Sequence, residues 1–93
     1  MHLESAYRLE SGVQVRNEVF GLLFYDYRGP RLYFVPSKEL LTDTFFQGNE
    51  PVSDLLDRLV AQTRWPRKQI QDQLERTLDS LEGKGLIHGQ SIC

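Results

Sequence analysis

"GLLFYDYRGPRLYFVP", residues 21–36, decides the fold. Leu22, Leu23, Phe24, Tyr25 and Tyr27 stand on one side of a turn, and Leu32, Tyr33, Phe34 and Val35 on the other. Gly29 tolerates positive φ, and Pro30 fixes its own φ while steering Gly29 away from helical geometry, so the stretch reads as two strands joined at 28–30. Neither strand alternates apolar with polar as one with a face in water does. The bulk on both faces raises the question of what covers the second. The strand after the turn also carries no charge between Arg31 and Pro36.

Upstream, "AYRLESGVQVRNEVFG" reads as one interrupted strand, with Val13 and Val15 alternating against Gln14 and Arg16. Downstream, Pro36 closes the sheet. Ser37 is a good N-cap, Glu39 suits a first turn, and Leu40, Leu41 and Phe45 have helical spacing, so a first helix is expected there. "QGNEP" (47–51) ends it. Val52, Leu55, Leu56, Leu59 and Val60 mark a second amphipathic helix. "TRWP" (63–66) is a tight turn, with Pro66 suited to the start of a third helix whose buried stripe is Ile70, Leu74, Leu78 and Leu81. Gly83 and Gly85 end that helix, and Leu86 and Ile87 are expected to fold back as an apolar tail. The expected fold is therefore α+β and winged-helix-like: an N-terminal three-stranded antiparallel sheet followed by a three-helix bundle.

Composition sets the outer bounds. The 93 residues suffice for a single domain spanning 1–93 with one modest core, and 40% hydrophobic with 26% charged residues is ordinary for a globular chain. The net charge of −2 supplies no general attraction to nucleic acid or acidic lipid. A lone cysteine, Cys93, forms no internal disulfide and suits a reducing compartment. No apolar run nears the roughly 20 residues of a membrane span, and "MHLESAYRLE" lacks the basic and apolar parts of a signal peptide. A cytoplasmic location is expected, with no membrane partner.

Catalysis finds little support. His2 and His88 have no second ligand at metal-like spacing, and Asp26, Asp43, Asp54, Asp57, Asp72 and Asp79 form no recognisable acid–base pair. Gly83 and Gly85 follow a helix, whereas a phosphate cradle precedes one. The expectation is a protein without enzymatic activity, cofactor or metal.

DNA binding is the alternative. "QIQDQLERTLDSLEGKGLIHG" (69–89) resembles a winged helix-turn-helix, and Arg67, Lys68, Gln69, Gln71 and Gln73 have side chains suited to base edges. Between residues 66 and 82, however, Arg67, Lys68 and Arg76 face four acids, Asp72, Glu75, Asp79 and Glu82. Only eight residues follow Gly85, too few for two wing strands and their turn at usual lengths. No nucleic-acid partner is expected.

The uncharged strand 32–35 points elsewhere. In a simple meander it lies at the sheet edge, and natural edges are usually blunted by charge, proline or a bulge. An unblunted edge is a template for an incoming strand, or for a second copy of the chain in a homodimer. The competing readings are plain core, or cover from Leu86 to His88.

"VQVRNEVFGLLFYDY" (13–27) and "RLYFVPSKELL" (31–41) resemble the peptide chaperones of mycofactocin biosynthesis, members of the PqqD-like peptide-binding proteins. The likeness is specific over Tyr7 to Leu41 and general beyond. It implies a non-catalytic recognition element that captures the leader of a ribosomally made precursor peptide as an added strand. The peptide would lie between the third strand and the third helix, and pass to a maturase, often a radical S-adenosylmethionine enzyme. On that expectation the site comprises Arg31, Leu32, Tyr33, Phe34 and Val35 with Arg67, Ile70, Gln71 and Leu74.

Overall fold

The hairpin at 21–36 forms as expected, but it is only part of a more divided β-structure. The computed structural model describes residues 1–36 and 40–91, with the side chain of residue 91 left aside. In chain order the elements are β1 (Ser5–Leu9), β2 (Val13–Glu18), β3 (Gly21–Asp26), β4 (Arg31–Val35), a single 3-10 turn (Asp43–Phe46), α1 (Val52–Thr63), α2 (Arg67–Gly83) and β5 (Ile87–Ser91). β2, β3 and β4 form an antiparallel meander in that order, while β1 pairs antiparallel with β5 in a separate two-stranded sheet.

This corrects the expected fold in three places. The segment 6–21 is two strands in two sheets, because Gly12 at φ 86° turns the chain and Val13 N–H closes onto the Glu10 carbonyl at 3.1 Å. The tail after Gly85 is no loose cover: it becomes β5, with Tyr7 opposite Gly89 and Leu9 opposite Ile87. The three-helix bundle is, among the described residues, two α-helices and a 3-10 turn. Thr42, Asp43 and Thr44 prefer turns and caps to helix interiors, and the turn suffices to bury Phe45 and Phe46 together, their rings edge-to-face at 5.3 Å. Ser37 and Glu39 lie outside the described residues.

The helices follow their periodicity. Pro51 and Pro66 stand at the N-caps of α1 and α2, within the usual one-residue uncertainty of helix ends. Val52, Leu55, Leu56 and Leu59 of α1 and Ile70, Leu74, Leu78 and Leu81 of α2 are all buried. They join Tyr7, Leu22, Phe24, Phe46, Leu86 and Ile87 in one core, each large side chain worth about 1.5–3 kcal/mol on burial. Phe24 meets Phe46 edge-to-face at 5.4 Å, which ties the middle of the meander to the 3-10 turn.

The meander has a covered face and an open one. Cross-strand partners share a face, so Arg31, Tyr33 and Val35 lie with Asp26, Phe24 and Leu22, which are buried. Leu32 and Phe34 lie on the other face beside Tyr25 and Leu23, and are 61% and 52% exposed. That face is partly clothed from within: Arg16 lies over the Tyr25 ring at 5.8 Å, and Tyr25 stacks on Tyr27 at 5.9 Å.

Candidate functional site

β4 ends the meander, and among the described residues no strand pairs with its outer edge. The tail after Gly85, one of the covers considered for this edge, is paired with β1 instead. Gly21 fixes how tightly β4 is held on its other side, since a Cβ there would stand 2.0 Å from the Val35 carbonyl oxygen. The Phe-Gly turn thus lets the start of β3 touch the end of β4, a close approach that any side chain would prevent.

The opposite end of β4 is held electrostatically. Asp26 is buried, and its Oδ1 accepts from Arg28 Nε at 2.9 Å and from the Arg28 amide at 3.1 Å. The Arg28 side-chain hydrogen bond holds the Asp26 carboxyl below its ordinary pKa, with the backbone donor and the Arg28 and Arg31 charges adding to the effect and burial opposing it. Arg28 Nη2 also donates to the Gly85 carbonyl at 2.7 Å. One guanidinium therefore fastens the β3–β4 turn to the end of α2 and sets the gap between them.

That gap is a groove in two sections. The larger, about 730 Å³, runs from Val35 and Pro36 along Lys68, Gln69, Asp72 and Gln73 of α2. The smaller, about 300 Å³, lies among Tyr33, Phe34, Leu81, Ser80 and Lys84. Val35, Pro36, Arg76 and Thr77 line both.

The expected strand residues thus stand at the edge and groove, with Tyr33 and Val35 on the covered face and Leu32 and Phe34 on the open one, Phe34 still contributing to the lining of the smaller section. The expected helix residues are placed differently. Ile70 and Leu74 are fully buried in the core. Arg67 is exposed and bonds Asp57 of α1 at 2.8 Å, and Gln71 does not line the groove. A buried stripe has two flanks, and periodicity alone does not say which one faces a given strand. Arg67 and Gln71 lie on one flank; the groove uses the other. A signal for it was present: Gln69, Gln73, Thr77 and Ser80 recur at spacings of four, four and three, an uncharged polar line on a highly charged helix.

Comparison with protein families decides the affiliation: the model of the peptide chaperone MftB family matches residues 6–88. The chain belongs to this peptide chaperone family. No curated protein and no solved structure matches it. The groove sets Val35, Pro36 and Leu81 beside the polar side chains of Gln69, Gln73, Thr77 and Ser80. Among the described residues no group of three or more His, Cys, Asp or Glu side chains is placed to hold a metal, and no helix is long and apolar enough to cross a membrane.

Proposed function

We propose that this chaperone binds the leader of a ribosomally made precursor peptide as a strand added to β4, and presents it to a separate maturase, a radical S-adenosylmethionine enzyme. The observation supporting this is a strand edge with which no described strand pairs, running beside a groove open enough to take side chains. Main-chain bonds to β4 would supply affinity, and the groove would select side chains. The maturase is part of the reading through the family's likeness to PqqD-like proteins, and chemistry on the peptide belongs to it.

The test is amide exchange with and without a candidate precursor peptide, sought as a short reading frame near the gene. Residues 31–36 and the groove-lining part of α2 are expected to slow when peptide is added. Protection on 6–17 instead would assign the peptide to another edge and overturn the reading. A duplex DNA control at about 0.1 M salt should show no comparable binding, because Arg67 and Lys68 already have Asp57 and Asp72 as partners. A homodimer through β4 would compete with the peptide, and would appear as affinity that falls with protein concentration.

A further inference from the structure

The groove is uneven in charge. In its larger section Lys68 stands 3.9 Å from Asp72, so cation and carboxylate answer each other. The smaller section has Arg76 and Lys84 beside Tyr33, Val35 and Leu81, and among the described residues no carboxylate lines it. Arg76 makes no ion pair with any described residue. Lys84 Nζ lies over the Tyr33 ring at 5.8 Å, and Arg31 approaches the same ring at 5.9 Å. Among the described residues, Arg76 and Lys84 therefore stand on the wall of this concavity without a carboxylate partner.

An added strand would continue the pleat of β4. Residues opposite Tyr33 and Val35 would point into the groove, and those between would join Leu32 and Phe34 on the open face. Two strand residues advance about 6.6 Å and one i, i+4 helix step about 6 Å, so successive inward side chains meet successive turns of α2. Along β4 from Tyr33 to Pro36 these turns run from Lys84 and Ser80, through Arg76, to Gln73 and Gln69.

We infer that, within the strand-addition reading on which this rests, the groove selects an extended segment with acidic inward side chains and apolar outward ones. Successive inward carboxylates meet Lys84 and then Arg76 through charge-assisted hydrogen bonds, with the methylenes of the first lying on Tyr33 and Leu81. The outward side chains cover Leu32 and Phe34, extending an apolar row that is now open to water.

Three blocked peptides of about nine residues, long enough to span β4, test this: valine alternating with Glu, with Gln or with Lys. Each is titrated against the full chain at about 0.05 M and 0.3 M salt, with amide exchange on the bound form. The Glu peptide is expected to bind about tenfold tighter than the Gln peptide, and the Lys peptide weakest. The preference should shrink at the higher salt and vanish in the Arg76→Gln, Lys84→Gln double variant, whose altered side chains are both exposed. Equal affinity for the Glu and Gln peptides, with exchange still slowed at 31–36, would overturn the inference and leave strand addition standing. No binding by the Glu peptide would also overturn it, with strand addition then judged by the precursor alone. Binding that leaves 31–36 unprotected would overturn both.

Discussion

β1 and β4 are each five residues long, and their burial runs opposite to their composition. β1, SAYRL, carries a serine and an arginine, yet Ala6 and Tyr7 are buried in the core. β4, RLYFV, has four consecutive apolar residues and leaves two of them more than half exposed. What separates them is return of the chain. β5 comes back after α2 to pair with β1, and the Arg8–Gln47 bridge engages β1 as well. No described strand returns to the outer edge of β4. Hydrophobicity sets what a strand would gain from cover; topology decides whether cover arrives.

Truncation should expose that contrast most strongly. Tyr7→Ala is expected to cost about 3–5 kcal/mol in urea unfolding, as for other buried large aromatics. Phe34→Ala should stay within about 0.5 kcal/mol of the parent while weakening precursor binding. If Phe34→Ala proved as destabilising as Tyr7→Ala, with a dependence on protein concentration, a second copy would be covering β4 in solution.

Proline scanning sharpens the same comparison at the edge. Consecutive strand residues direct their N–H groups to opposite sides. Of Tyr33→Pro and Phe34→Pro, one therefore removes a donor from the open edge and the other a bond of the β3 ladder. The edge variant should keep the parent circular dichroism and lose precursor binding; the ladder variant should lose stability. Two variants that both fold and both bind would argue against strand addition on β4.

The open edge was legible in the sequence because it is a local property: Arg31 and Pro36 bracket four residues that carry no blunting device. The strands β2, β3 and β4 and the stripes of both long helices are likewise local, written in spacings of two to four residues. The β1–β5 sheet was not. Its pairs join Ser5 to Ser91 and Leu9 to Ile87, and no periodicity reports on a partner that far along the chain. The flank of α2 that faces β4 was hidden for the same reason, since the stripe is local but its orientation belongs to the assembled fold.

Acid should act through the clasp that holds the two regions together. Asp26 has a folded pKa below its ordinary value, so its contribution to stability is present above that ordinary value. It is lost as pH falls from about 4 through the folded pKa. Asp26→Asn is expected to lower the melting temperature at neutral pH and to flatten the acid limb of stability below about pH 4. Arg28→Ala should do the same and also loosen the β4–α2 gap through the lost bond to Gly85. An unchanged acid limb in Asp26→Asn would show that other carboxylates carry it.

The smallest effect is expected at Arg67, and it separates the two flanks of α2. Its guanidinium pairs with Asp57 across a solvent-exposed helix junction, the side chains being 50% and 64% exposed. Such pairs contribute about 0–1 kcal/mol, and a cation in the first turn of a helix opposes the macrodipole, which offsets part of that gain. Alanine is also the better helix former. Arg67→Ala should therefore shift stability by no more than about 0.5 kcal/mol and leave precursor affinity within about twofold. Arg76→Ala, about two and a half turns along on the groove flank, should leave stability similarly untouched yet weaken an acidic peptide severalfold. The decisive measurement is the ratio of the two affinities. If Arg67→Ala weakened the peptide as much as Arg76→Ala, the ligand would be contacting the flank that faces α1, and the groove beside β4 would not be its site.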